Sequence, residues 1–146
     1  VVITTFNRDE NTKSGSIKNI RFFNVIAKGE NGVLIHGNAE NIIEDVTFEN
    51  CKITLTKTSK WDCGMYDLRP CLDWGVEKYD NSAFFIRYAK NVLIEKTQTM
   101  WGNLCDSYKH AIDAENVENL ELVRFDGKAV SPLVDDIKLN NVKIVK

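Results

Sequence analysis

One short phrase recurs along this chain and constrains its fold more than any other feature. It consists of an apolar residue, a charged residue, Asn or Asp, an apolar residue, any residue and a further apolar residue. Five copies occur, at residues 17–22, 43–48, 89–94, 117–122 and 134–139. Their central Asn or Asp positions are 19, 45, 91, 119 and 136, so the intervals are 26, 46, 28 and 17 residues. An interval of 46 equals two turns of about 23, and repeats of 20–30 residues built from strands are typical of a solenoid.

The phrase has a direct physical reading. After the Asn or Asp, apolar residues alternate with solvent-tolerant ones, which places the apolar residues on one face of a strand. Asn and Asp tolerate the left-handed backbone region, so one such residue turns the chain sharply between two strands. Stacked coils would then bring equivalent Asn side chains into ladders. We therefore predict an all-β parallel β-helix of about five or six coils across residues 1–146; the alternative is an antiparallel sandwich.

Two local assignments remain open at this level. Residues 40–42 also fit the phrase, so the register of the second coil is uncertain by about four residues. Residues 107–118 are the nearest approach to a helical pattern, but a strand at 110–114 is the preferred interpretation, because it precedes a repeat phrase as residues 33–35 and 84–86 do.

Composition excludes some functions. The net charge is -2 with a pI near 5.7, and basic residues are interleaved with acidic ones, so no nucleic-acid partner is expected. No run of 18 apolar residues is present, so no membrane span is expected. Residues 1–6 carry no initiator Met and no leader pattern, which favours the C-terminal part of a longer chain whose N-terminal coils would be a partner of this segment.

Several segments resemble a known family. Residues 17–26, 32–55 and 83–101 resemble coils of the right-handed parallel β-helix of pectin-active enzymes. Residues 65–70, 75–76, 83–87, 89–92 and 101–102 look like the C-terminal coils of bacterial proteins related to polygalacturonases, glycoside hydrolase family 28. The resemblance implies a pectin-lyase-like fold. It also implies a secreted, periplasmic or cell-surface carbohydrate-active protein that acts on or binds an acidic plant-type polysaccharide.

The catalytic pattern of that family is absent from this sequence. There is no Asn-Thr-Asp, no Gly-His-Gly and no Arg-Ile-Lys, and His36-Gly37 is only half of the histidine motif. The pair Asp135-Asp136 lies within the last repeat phrase, after the place where the family's pair should fall. We therefore assign no catalytic residue, and expect any catalytic coils outside this sequence.

The longest interruption of the repeat, residues 56–81, is predicted to be an inserted loop that carries the site. Aromatic rings stack on sugars, whereas Asp and Arg side chains bind hydroxyls or carboxylates. The candidate substrate-binding residues are Trp61, Asp62, Tyr66, Asp67, Arg69 and Trp74, with Trp101 extending the same surface. The alternative is an aromatic flap closing over the coils, with Arg69 paired to Asp67 or Asp73 and Trp101 packed beneath it.

The cysteines and histidines point to structural roles. Cys63 and Cys71 lie in the same loop and could form a disulfide, while Cys51 is expected to be a buried thiol equivalent to Val25 and Val142. No Cys-x-x-Cys pair occurs, so no metal or other cofactor is expected. The histidines, His36 and His110, are expected to make surface or coil-edge hydrogen bonds.

Two other functional classes remain possible from the sequence. One is a structural or adhesion module, such as part of a phage tail spike or a surface protein, which would bind no polysaccharide. The other is a sugar-binding module without catalysis.

Overall fold

The computed structural model describes residues 1–69, 71 and 75–145, and these form twelve β-strands and no helix. The strands are β1 (Val2–Thr4), β2 (Lys18–Phe23), β3 (Ile26–Gly29), β4 (Val33–His36), β5 (Ile43–Glu49), β6 (Lys52–Leu55), β7 (Met65–Asp67), β8 (Val76–Lys78), β9 (Phe84–Glu95), β10 (Gln98–Trp101), β11 (Ile112–Val123) and β12 (Ile137–Val145). The all-β prediction is confirmed, and so is the preference for a strand in the region that leads into β11. Within the described chain, no helix could cross a membrane.

Parallel pairing between segments that are far apart in sequence builds the main sheet. Its strand order is β1-β4-β9-β11-β12; in addition, β5 pairs with the second half of β9, and β2 pairs with β5. Val33 pairs with Phe84, Phe84 with Ile112, and Ile112 with Ile137. A smaller parallel sheet has the order β10-β6-β3. Parallel strands in register require the chain to return to the same end of the sheet before each new strand.

The turn residue of the phrase behaves as predicted in four copies. Asn19, Asp45, Asn91 and Asn119 have φ angles of 58°, 57°, 54° and 61°. The amide Nδ2 of Asn119 donates to Oδ1 of Asn91 over 2.9 Å, and Nδ2 of Asn91 donates to Oδ1 of Asp45 over 2.9 Å. The predicted ladder is therefore present, and the second coil takes the register centred on Asp45.

The fifth copy of the phrase is a false match. Ile137 pairs with Ile112, so residues 134–139 align with the start of β11 rather than with its later phrase. The left-handed residue of β12 is Asn141, with φ of 52°, and its amide donates to Asn116 over 2.7 Å. Asp136 instead accepts from the backbone N–H of Ala129 over 2.7 Å. A match to the six-residue phrase cannot show whether its central residue is left-handed, because strand pairing and hydrogen-bond partners determine where the turn lies.

Cys51 is a buried free thiol, as predicted. Its equivalence to Val25 is correct, because Ile26 pairs with Lys52. Its equivalence to Val142 is wrong, because Val142 pairs with Val117 in the other sheet.

Two apolar clusters lie on opposite faces of the main sheet. The interior cluster includes Phe48, Phe84 and Ile112, all fully buried. The insertion at residues 56–81 contains the antiparallel hairpin β7–β8, which lies on the outer face. There Tyr66 of the hairpin packs against Phe85 of β9, with ring centroids 5.0 Å apart. Burial of these rings attaches the hairpin to the sheet.

The predicted Cys63–Cys71 disulfide is wrong. Cys63 is bonded to Cys105, 42 residues later, and Cys71 is a free thiol. Cys63 precedes β7 at the point where the insertion meets the loop after β10. Cys71 instead packs against the outer cluster of Leu34, Tyr66, Leu68 and Phe85. Strand β7 lies between the two cysteines and carries the chain from the Cys105 loop to the outer cluster, so these neighbours in sequence have different partners.

Candidate functional site

An open trough lies between the hairpin and the outer face of the main sheet. Its volume is about 520 Å³. The hairpin and the loop after β10 supply one wall, and β9, β11 and β12 supply the floor. The lining residues are Gly64, Lys78, Tyr79, Asp80, Phe85, Arg87, Ser107, Asp113, Glu115 and Lys138. A second opening of about 490 Å³ shares Gly64, Lys78, Asp80 and Ser107 with it and extends it toward Asp62 and Asp106.

A network of paired charges forms the floor. Nη2 of Arg87 lies 2.8 Å from Oδ1 of Asp113, and Nε of Arg87 lies 3.5 Å from Oε2 of Glu115. Nζ of Lys138 lies 3.3 Å from Oδ2 of Asp113. The side chains of Arg87 and Asp113 are only 10% and 6% exposed. The guanidinium also lies 3.8 Å from the ring centroid of Phe85, so a cation–π contact helps to fix it.

Strand register brings these charges together. Phe85 pairs with Asp113 and Asp113 with Lys138, while Arg87 pairs with Glu115. Phe85, Asp113 and Lys138 form one row across the three strands, and Arg87 and Glu115 form a second row two residues further along. Side chains two residues apart on a strand point to the same face, so both outward rows point away from the interior. Sequence reasoning missed this site, although an alignment of the strands that precede each phrase would have shown opposite charges in adjacent rows.

The upper wall is held by polar contacts around Asn81. Its Oδ1 accepts from the backbone N–H of Gly64 over 2.8 Å and from Oγ of Ser107 over 2.7 Å. Gly64 has φ of +84°, and a Cβ there would lie 3.0 Å from Cβ of Ser107. The Cys63–Cys105 disulfide fixes the same junction covalently. The wall is therefore a braced structure rather than a loose loop.

The structure brings two of the predicted site residues to the trough region. Asp62 lines its extension. Tyr66 is 3% exposed and lies beneath the hairpin, where it supports the wall by packing on Phe85. Burial raises the pKa of Tyr66 to about 12. Its hydroxyl therefore stays protonated near neutral pH.

Asp67 and Arg69 pair with each other on the exposed hairpin. Nε and Nη2 of Arg69 donate to the two carboxylate oxygens of Asp67 over 2.9 and 2.6 Å. The hydrogen bonds from Arg69 lower the pKa of Asp67 to about 2. This pairing was one of the alternatives left open by the sequence. It occupies the guanidinium edge that would otherwise receive a ligand carboxylate.

Trp61 and Trp101 do not form one surface with the trough floor. Trp61 is 70% exposed, with Nζ of Lys60 5.2 Å from its ring centroid. Trp101 packs against Tyr108 at a centroid distance of 5.4 Å, and its Nε1 donates to the backbone oxygen of Lys128 over 2.8 Å. Trp101 thus belongs to the margin of the interior cluster. Trp74 and Asp73 lie outside the described residues.

Both histidines make hydrogen bonds, as predicted. Nδ1 of His36 lies 2.8 Å from the backbone oxygen of Gly37, and Nδ1 of His110 lies 2.7 Å from that of Asp135. Burial lowers the pKa of His36. Among residues 1–69, 71 and 75–145, no group of three or more His, Cys, Asp or Glu could hold a metal ion.

The chemistry of the floor suits binding. Asp113 and Glu115 both face the Arg87 guanidinium, so they present fixed acceptors to a ligand hydroxyl.

Comparison with protein-family profiles, with curated proteins and with solved structures finds no match to this chain.

Proposed function

We propose that this chain is part of a right-handed parallel β-helix, pectin-lyase-like in form, that binds a polysaccharide in the trough. The fold proposal is supported by the in-register parallel strands and by the left-handed Asn and Asp ladder. The ligand proposal follows the resemblance to polygalacturonase-like proteins of glycoside hydrolase family 28, whose substrates are acidic plant polysaccharides.

The observation that carries the binding proposal is the combination of an open trough with a pre-organised polar floor. A sugar chain offers many hydroxyls, which need acceptors and donors at fixed positions. The carboxylates of Asp113 and Glu115 supply acceptors, and Lys78 and Lys138 supply donors, whereas the nitrogens of the Arg87 guanidinium are already bonded within the chain. Because packing and ion pairs already hold the two carboxylates, a ligand would order few side chains on binding.

The trough lining carries three cations and three carboxylates, so a preference for an acidic glycan would depend on direct contact with the two ammonium groups at the rim, those of Lys78 and Lys138. Lys78 forms no ion pair with any residue in the described part of the chain, and the Lys138 side chain is 56% exposed. Attraction between these groups and a ligand carboxylate would weaken as salt is added.

Binding without hydrolysis is the role that these residues support. The two carboxylates of the floor share one cation, and the family's catalytic motifs are absent from the sequence. Export to the periplasm, the cell surface or the medium is supported by the Cys63–Cys105 disulfide, because such bonds persist in oxidising compartments.

Affinity electrophoresis tests the proposal. The chain should be retarded in gels that contain polygalacturonate, less so in gels that contain a neutral glucan, and the retardation should weaken as salt is added. The double variant Lys78→Gln/Lys138→Gln should lose most of the retardation, because it removes both ammonium groups and leaves the buried Arg87–Asp113 pair intact.

Lys28→Gln/Lys52→Gln is the matched control. It makes the same change in net charge on exposed lysines of the smaller sheet, away from the trough floor, and should leave retardation unchanged. If both double variants lose retardation equally, the effect is due to net charge, and the proposal that the glycan binds in the trough is refuted. Absence of retardation by either glycan would refute the binding proposal and favour the structural or adhesion class.

A further inference from the structure

A second pocket lies around the corner from the trough, where β9, β11 and β12 bend. Its volume is about 430 Å³. Tyr88, Asn116 and Asn141 occupy equivalent positions on the three strands and line it together. Each follows a residue of one of the outward rows: Tyr88 follows Arg87 of the trough floor, and Asn116 follows Glu115. The pocket and the trough share no lining residue, but they occupy neighbouring positions along β9 and β11.

Tyr88 is unusual at this position because of its backbone conformation. Its φ is 49°, in the left-handed region. Bulky residues avoid that region, whereas Gly, Asn and Asp tolerate it. The next two strands follow this rule, with Asn116 and Asn141 at the equivalent position, whereas Gly37, which precedes Tyr88 in the stack, does not have a positive φ. Backbone strain of this kind is concentrated at functional sites.

The fold itself does not account for the tyrosine. Among the described non-glycine residues with positive φ, two others besides Tyr88 are neither Asn nor Asp, namely Lys96 and Arg124. Both of these make ion pairs with Glu95 at 3.1 Å. The side chain of Tyr88, by contrast, makes no hydrogen bond and no aromatic ring contact with any residue of the described chain. It is half-buried and lines the pocket.

Polar groups line the same pocket as the ring, together with the apolar Ala39 and Ile42. Nδ2 of Asn141 donates to Oδ1 of Asn116 over 2.7 Å, and the stacked amides retain hydrogen-bonding capacity. Nζ of Lys90 lies 3.1 Å from Oε2 of Glu118, and Lys143 completes the polar side. An aromatic face beside amide and charged groups matches a pyranose, which has an apolar face and a polar edge.

We infer that Tyr88 is the stacking platform of a second glycan subsite, so that a bound oligosaccharide crosses from the trough over the bend of the strands. The class of ligand rests on the proposed function, but the subsite itself rests on the strained tyrosine and the amides beside it. The Tyr88 ring contacts one sugar face, and Asn116 and Lys143 contact the hydroxyls at its edge.

Tyr88→Asn is the informative variant. It places at this position the residue type that the next two strands use, so it removes the ring while relieving the backbone. The variant should melt no lower than the parent chain, which separates loss of binding from loss of folding. Tyr88→Phe keeps the ring and serves as the matched control.

The assay measures binding to arrayed oligosaccharides of galacturonan, alginate, xylan and cellulose. For a glycan bound by the parent chain, Tyr88→Asn should weaken binding by at least about tenfold, as expected for loss of an aromatic stacking contact. Tyr88→Phe should stay close to the parent. Undiminished binding by Tyr88→Asn overturns the inference, and so does binding by Tyr88→Phe that is as weak as that of Tyr88→Asn.

The trough variant Lys78→Gln/Lys138→Gln, measured on the same array, separates the two proposals. If only the trough variant loses binding, the second subsite is refuted and the proposed function stands. If only Tyr88→Asn loses binding, the trough is refuted and the corner subsite stands. Binding of none of the arrayed glycans by the parent refutes both.

Discussion

Substitution of Asn91 tests whether the left-handed turn or the side-chain ladder is the main contribution of the repeated phrase. Asn91 has φ of 54°, accepts a hydrogen bond from Asn119 and donates one to Asp45, each over 2.9 Å. Asn91→Gly removes both hydrogen bonds but keeps the turn accessible. Asn91→Val removes the same hydrogen bonds and also places a β-branched residue in a backbone region that it avoids.

The expected magnitudes follow from these contacts. Exposed side-chain hydrogen bonds contribute about 0.5 kcal/mol each, so both variants lose about 1 kcal/mol. Glycine adds about 0.5 kcal/mol through the entropy of the unfolded chain. Valine in the left-handed region adds about 2 kcal/mol. The free energy of unfolding should therefore fall by about 1.5 kcal/mol in Asn91→Gly and by about 3 kcal/mol in Asn91→Val.

Urea unfolding with the disulfide intact measures these differences, provided that the parent and both variants share the same denaturant slope. The predicted order, with Gly less harmful than Val, is the reverse of the order found at ordinary strand positions. If Val is tolerated as well as Gly, or better, the turn does not depend on the left-handed conformation, and the physical explanation of the repeat is wrong.

Two further predictions concern the trough. Asp113→Ala should lower the free energy of unfolding by about 3 kcal/mol, because it leaves the buried Arg87 guanidinium with only the more distant Glu115 carboxylate. Glu115→Ala should lower it by less than about 1 kcal/mol, because the Glu115 side chain is 39% exposed. Equal decreases for the two variants in urea unfolding would contradict the conclusion that Asp113 is the buried partner of Arg87. Reduction of Cys63–Cys105 opens a loop of 42 residues and should destabilise the chain by about 4 kcal/mol. The double variant Cys63→Ser/Cys105→Ser should match the reduced parent, and a reduced parent as stable as the oxidised one would contradict this.

Much of the fold was accessible from the sequence because one physical constraint repeats. The turn requires Asn or Asp, and the strand after it requires apolar residues at alternate positions, so Asn19, Asp45, Asn91 and Asn119 were identified correctly. The fifth copy failed because Asp136 satisfies the letters but is hydrogen-bonded to Ala129. The sequence alone could not distinguish Asp136 from a left-handed turn residue. The left-handed position of β12 is Asn141, which is set by pairing with Asn116 of β11.

The disulfide and most of the site were not accessible in the same way. The proposed partner of Cys63 was the nearest cysteine in sequence, but the hairpin carries Cys71 to the apolar outer cluster. Arg87, Asp113 and Lys138 are 26 and 25 residues apart in sequence, and each looks like an ordinary solvent-facing charge on its own strand. Only the register of three strands turns them into one network.

Two positions where the chain departs from its own repeat are expected to lower the stability of the fold. Residues that lower stability without a structural benefit are candidates for a functional role. A buried ion pair is often no more stabilising than apolar residues of the same size, yet the row that holds Leu34 and Phe85 continues with Asp113. A left-handed tyrosine costs about 1–2 kcal/mol relative to a favourable conformation, yet Tyr88 stands beside Asn116, which adopts the same conformation with a better suited side chain. Arg87 of the buried ion pair and Tyr88 are adjacent on β9, and each of them lines a pocket. If the chain had only to stack coils, apolar residues and Asn would suffice at these places, so a ligand contacted by both is the economical explanation for their occurrence together.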